Sequence, residues 1–117
     1  FIGSHITEAL LKKNIETLVY DNFSVGKLEY VPKGAKIIEA DILDQKKLNR
    51  AFRNIDIVFH NAAKVSIRNS LSDFTTDCNV NILGTANVVT AAIKNKVKKL
   101  IYASSMAVYG DETEKGF

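Results

Sequence analysis

Cysteine is almost absent: this chain of 117 residues holds one, Cys78. A lone cysteine excludes an internal disulfide, and with only His5 and His60 to join it no zinc site can be completed. No metal is therefore expected, and Cys78 reads as a packed helix residue. There is also no apolar stretch long enough to span a bilayer, no signal-peptide pattern and no initiator methionine. Nothing points to export or to a membrane, the cytoplasm is the expected compartment, and the chain is expected to be a piece of a longer protein. Repeats and low-complexity tracts are lacking. So is a basic stripe: the formal charge is +3, but the lysines are scattered apart from small clusters at Lys46-Lys47 and between Lys94 and Lys99, which suit solvated helix faces or ends. Without aromatic residues interleaved among them, these clusters predict no nucleic-acid partner.

What is present is an alternation. With 46% hydrophobic residues the chain can bury one core, although a complete doubly wound nucleotide-binding domain is usually longer. The spacing predicts a helix over about 4–14, a strand over 17–21, a loop through Pro32-Lys33-Gly34 and a strand over 36–40. It continues with a helix over about 44–52, a strand over 55–61, a loop through Ser72, a long helix over about 73–95 and a strand over 99–104. Strands alternating with helices imply an α/β fold with a doubly wound parallel sheet covered on both faces. The near-continuous apolar runs Ile55-Asp56-Ile57-Val58-Phe59 and Leu100-Ile101-Tyr102-Ala103 fit strands buried on both sides.

The chain opens on Phe1-Ile2-Gly3-Ser4-His5. This reads as the tail of a G-x-G-x-x-G turn, in which the last glycine lets a helix pack closely on the preceding strand and the helix N-terminus holds a pyrophosphate. On that reading the sheet is incomplete, its first strand missing. Alone, a glycine before a helix is more often plain N-terminal punctuation. Thr17-Leu18-Val19-Tyr20-Asp21 then ends a strand on an acid 18 residues past Gly3. An acid there accepts from adenosine ribose hydroxyls and repels a 2′-phosphate, with Lys27 nearby to soften that exclusion.

In such a sheet ligands lie beyond the carboxyl ends of the strands. Asp21 marks the first end. At the second, Asp41 and Ile42 suit an adenine, Asp41 accepting from the exocyclic amine and Ile42 covering the ring face; a helix cap by Asp41 or Asp44 is the competing role. The third is His60-Asn61-Ala62-Ala63-Lys64-Val65-Ser66, where two alanines admit a ligand close to the backbone. His60 is there either a base or a satisfied core residue. The fourth is Ala103-Ser104-Ser105-Met106-Ala107-Val108-Tyr109-Gly110, whose serines offer a hydroxyl to a reacting oxygen or simply end the strand.

Gly3-Ser4-His5, Asp21-Asn22-Phe23-Ser24, Asp41-Ile42, His60-Asn61-Ala62-Ala63, Asn79-Val80-Asn81 with Gly84-Thr85 and Asn87, and Ala103-Ser104-Ser105 with Val108-Tyr109-Gly110 resemble, in order and spacing, the extended short-chain dehydrogenase/reductases. Within them the resemblance is to NAD-dependent nucleotide-sugar epimerases. It implies a Rossmann-like domain with NAD as cofactor. Phe1 and Ile2 would contact the pyrophosphate through the backbone, and Asp21, Asn22, Phe23, Ser24, Val25 and Gly26 would hold the adenosine ribose region. Asp41 and Ile42 would hold adenine, while Asn61, Ala62, Ala63, Lys64 and Val65 would line the cofactor and Asn79 would bond toward it. Ser105 matches the active-site serine that bonds the sugar hydroxyl being oxidised. A nucleotide-sugar substrate and a homodimeric parent are implied as well.

The family's Tyr-x-x-x-Lys pair does not appear. Met106 and Thr113 stand four residues after Tyr102 and Tyr109, so the pair is expected beyond this chain, which alone should be inactive. Met106 and Ala107 also stand where a dehydratase would carry acids, which favours an epimerase. A related decarboxylase, a ketone reductase and a non-catalytic dinucleotide sensor remain alternatives.

Overall fold

The computed structural model describes residues 1–66 and 72–110. Helix α1 (Ile2–Lys12) comes first, earlier than the expected start at Ser4, because the Phe1 carbonyl already accepts from the His5 amide and the Ser4 hydroxyl. It stops at Asn14, whose φ of 56° is left-handed; the Asn14 and Ile15 amides turn back onto the Leu11 and Leu10 carbonyls. Asparagine is among the few residues that take that conformation cheaply. The same C-terminal device recurs at Lys96.

Strand β1 (Leu18–Asp21) pairs in parallel with β2 (Lys36–Glu39), Asp21 beside Glu39. A 3₁₀ turn at Leu28–Tyr30 lies in the loop between them. Helix α2 (Gln45–Ala51) is capped by Asp44, whose carboxylate accepts from the Lys47 amide. Asp44, not Asp41, is thus the cap. Strand β3 (Ile57–His60) pairs in parallel with β4 (Lys99–Tyr102), His60 beside Tyr102. Among the described residues β1 and β3 are not hydrogen-bonded to each other.

The four strands among the described residues are each four residues long, shorter than expected. Their carboxyl ends leave the ladder early, into side-chain-bonded turns after Asp21 and Asp41 and into a 3₁₀ turn at Met106–Tyr109 after Ser105. Positions 67–71 of the expected loop and all of 111–117, Thr113 included, lie outside the described residues.

The expected single helix over 73–95 has three parts. Helix α3 (Phe74–Cys78) is capped by Asp73, a π-helical segment follows over Asn79–Gly84, and helix α4 (Thr85–Lys94) completes it. A π turn carries an additional residue, and this one ends where the backbone of Gly84 meets Ile42: a Cβ at Gly84 would lie 2.4 Å from Ile42 Cδ1.

Ile42, Leu48, Ala51, Phe52, Val88, Ala91 and Ala92 form the core, with Leu18, Tyr20, Ile38, Val58 and Leu100 packed against it from the strands. One sheet face is therefore covered by α2 and α4. The opposite face departs from the expectation of burial on both sides: Ile57 is 49% and Ile101 38% exposed. The apolar runs recorded what the strands can bury, and the described helices cover only one side of β3 and β4.

Candidate cofactor-binding site

The carboxyl ends of the strands form two neighbouring pairs. In the first, the Ala40 amide bonds the Asp21 carbonyl at 3.0 Å, which sets the turn after β1 beside the turn after β2. Asp21 Oδ1 accepts from the Phe23 amide at 2.8 Å, and Asn22 Oδ1 from the Ser24 amide at 3.0 Å. These side-chain turns bend the chain so sharply that Phe23 has a left-handed φ of 51°, a strained conformation for an aromatic residue. Asn22 Nδ2 donates to Asp41 Oδ2 at 2.8 Å, while Asp41 Oδ1 accepts from the Leu43 amide. The two acids are thereby held in one arrangement with Asn22 as the link. Beneath them the Tyr20 hydroxyl donates to the Asp41 carbonyl, and its pKa is pushed up to about 12 by burial first and then by the carboxylates of Asp44 and Asp41. It stays a donor at any physiological pH.

Two acceptor-rich carboxylates suit hydroxyl and amine donors of an adenosine. Asp21 and Asn22 are exposed. Gly26 lies over the outer Asp21 oxygen, since a Cβ there would stand 3.9 Å from Oδ2. Lys27 lies 3.6 Å from Glu29 and over the Tyr30 ring. Its ammonium is thus engaged beside those two residues.

Ile42 needs a correction. Its side chain is 8% exposed and belongs to the core against Gly84, so it does not lie open to cover a ring. Its carbonyl accepts from the buried amide of Asn87, and among the described residues no acceptor faces its N–H. Any contact from Ile42 to a ligand therefore falls to its main chain.

In the second pair, the Ala103 amide bonds the His60 carbonyl at 3.1 Å, bringing Asn61 and Ala62 next to Ser104 and Ser105. His60 is buried, its Nε2 lies 3.0 Å from Thr85 Oγ1 and its ring meets Tyr102. Burial holds its pKa below the ordinary histidine value. It is a satisfied core residue, and the role of base falls away. Ala62, Ala63 and Val65 are exposed, while Lys64 is half-buried. The Lys64 amide and carbonyl are both bonded by Asn81.

Ser104 and Ser105 are both exposed beyond β4. The strand ends at Tyr102, so alternation along a strand does not reach far enough to choose between them. Asn79 is exposed, at the start of the π segment. Phe1 and Ile2 are exposed at the N-terminus of α1.

Sequence reasoning gave no task to Asn81, Thr85 or Asn87. Each reaches from one helical run to a strand end or the segment just after one: Asn81 to Lys64, Thr85 to His60, Asn87 to Ile42. The signal was present in the polar residues punctuating an apolar helix, which otherwise had no reason to be polar and inward-facing.

The sequence model of the NAD dependent epimerase/dehydratase family matches residues 1–116. The chain belongs to that family. Among its members, a UDP-glucose 4-epimerase of Mycoplasma genitalium is 36% identical over 121 residues, covering 97% of this chain and 35% of the relative. A UDP-N-acetyl-alpha-D-glucosaminuronate decarboxylase of Bacillus cytotoxicus is also 36% identical, over 116 residues, covering 97% of this chain and 36% of that protein. The crystal structure of a Thermus thermophilus UDP-glucose 4-epimerase in complex with NAD superposes with a TM-score of 0.93 at 41% identity, covering 99% of this chain and 38% of that one. This family member therefore has a Rossmann-like α/β fold, and it spans little more than a third of the length of each of these three proteins.

Proposed function

We propose that this chain is the dinucleotide-binding part of an NAD-dependent nucleotide-sugar epimerase. The observation that carries the proposal is the joined pair Asp21 and Asp41 at adjacent strand ends, linked by Asn22, in a chain similar to a UDP-glucose 4-epimerase and to a UDP-N-acetyl-alpha-D-glucosaminuronate decarboxylase. Asp21, Asn22, Phe23, Ser24, Val25 and Gly26 hold the adenosine ribose. Asp41 takes the adenine amine, and the Ile42 main chain meets the ring edge. Phe1 and Ile2 offer backbone at the helix N-terminus to the pyrophosphate. Asn61, Ala62, Ala63, Lys64 and Val65 line the far side of the cofactor, with Asn79 on the adjoining helix.

When bound, NAD supplies a hydride acceptor and, after the substrate has turned, a hydride donor. Ser105 bonds the sugar hydroxyl that is oxidised and so places the hydrogen on the hydroxyl-bearing carbon for transfer as hydride, the hydroxyl proton going to the base. The Tyr-x-x-x-Lys base is supplied by further sequence. A further strand, from sequence outside these residues, joins β1 and β3, which among the described residues are not hydrogen-bonded to each other. The whole protein is cytoplasmic and homodimeric, the latter supported by the exposed stripe Ile82, Val89 and Ile93 along one helical run. No helix among the described residues is long and apolar enough to cross a membrane.

The test uses the full-length protein with UDP-glucose. Formation of the C4 epimer, read by NMR without net consumption of NAD, is the expected result, and Ser105→Ala lowers kcat about 100-fold with NAD binding retained. Release of CO₂ from a UDP-uronic acid, with no epimer formed, establishes instead the decarboxylase reading, which the 36% identity to the Bacillus cytotoxicus protein supports.

A further inference from the structure

Asn81 lies within the π segment with its amide facing the loop after β3. Its Oδ1 accepts from the Lys64 amide at 2.8 Å, and its Nδ2 donates to the Lys64 carbonyl at 3.0 Å and to Asp77 Oδ2 at 3.1 Å. A side-chain amide that satisfies both main-chain groups of one residue does locally what a neighbouring strand does in a ladder. Residues 61–65 belong to no strand. A second tie runs from the Lys64 ammonium to Asp73, the cap of α3, at 3.7 Å. The bond to Asp77, one turn before Asn81, fixes the amide itself. The loop's conformation is thus set from the helix.

We propose that Asn81 is the positioning residue for the loop 61–65: by clamping the Lys64 main chain it holds Asn61, Ala62, Ala63 and Val65 in the shape that receives the dinucleotide. The proposal rests on the cofactor reading given above. The physical reason is preorganisation. A loop without its clamp populates many conformations, and apparent affinity falls in proportion to the fraction that remains competent. The alanines at 62 and 63 permit close approach but, having no polar side chains, cannot hold the loop themselves. The clamp has to come from another element.

The experiment uses the full-length protein and two readouts. One is hydrogen exchange of the peptide covering 61–66 without cofactor, and the other is calorimetric titration with NAD. In Asn81→Ala, exchange there accelerates and NAD binds about tenfold more weakly, the change expected when roughly a tenth of the loop population stays competent. Asn81→Asp keeps an acceptor for the Lys64 amide, has no proton for the Lys64 carbonyl and places a charge beside Asp77; it shows the same two changes and decides the matter if the alanine variant does not fold. Leu48→Val, a core substitution, lowers Tm without either change, which separates positioning from general destabilisation. A folded Asn81 variant with unmodified loop exchange and unmodified NAD affinity overturns the proposal. If the unmodified protein binds no NAD, the cofactor reading fails, and the exchange arm still decides whether Asn81 holds the loop.

Discussion

Asp21 is the residue on which cofactor choice turns. Its inner oxygen is occupied by the Phe23 amide, and its outer oxygen faces Gly26, where no side chain intervenes. A ribose hydroxyl can donate to a carboxylate so placed, whereas a 2′-phosphate would meet like charge at short range. Lys27, which sequence proximity offered as a countercharge, lies beside Glu29 and the Tyr30 ring. The full-length protein is therefore expected to prefer NAD over NADP, and Asp21→Ala to narrow or reverse that preference. Competitive titration of both cofactors measures it, and equal or tighter NADP binding by the unmodified protein contradicts it. Here the sequence was informative, because an acid at a strand end announces itself. Ile42 was not: an apolar residue after a strand end is compatible with covering a ligand and with entering the core. Only the approach of Gly84, from more than forty positions away in the chain, decides between them.

At the scale of elements, the helical run from Phe74 to Lys94 does more than cover the sheet. Thr85 bonds the end of β3, Asn87 the turn after β2, and Asn81 the loop after β3. The order and type of the elements were readable from alternating apolar periods and from acids at helix starts. The π turn was not, because one inserted residue leaves a 3.6-residue pattern nearly intact over so short a span. Strand lengths were overestimated for a related reason: apolar composition persists past the point where side-chain turns take over the backbone. The burial of His60 has a pH signature. Burial keeps the folded pKa of His60 below its ordinary value of 6.5, so on acidification the unfolded chain takes up the proton first. The stabilisation is present above about pH 6.5 and declines as pH falls toward the folded value. Glu8, Glu16 and Asp73 are shifted down from values of 4.5 and 3.8, so their losses come in a lower window. Between about pH 7.5 and 5.5, a range that brackets the ordinary histidine value, the Tm of the unmodified protein should drop more than that of His60→Gln, which retains a polar partner for Thr85. Parallel curves would remove His60 from the account.

For the whole molecule, the balance of covered and uncovered surface decides how the 117 residues behave alone. One face of the strands is buried by Leu48, Phe52, Val88 and Ala91, while the other leaves Ile37, Ile57, Phe59 and Ile101 in partial contact with water. Half-burying side chains of this size forgoes on the order of 1 kcal/mol each. Among the described residues β1 pairs only with β2 and β3 only with β4, so each leaves one edge without a strand partner. Marginal stability is the usual condition of a domain, so an uncovered face and two open edges are enough to tip it. Expressed as residues 1–117, the chain is expected to be poorly soluble, to bind a hydrophobic dye and to melt without a sharp transition. The full-length protein is expected to melt cooperatively and to lose dye binding. Calorimetry and dye fluorescence on the two proteins make the comparison. A sharp, cooperative, monomeric melt of the 117 residues alone would mean that the exposed strand face costs far less than its area implies, and that these two strand pairs support each other through the helices alone.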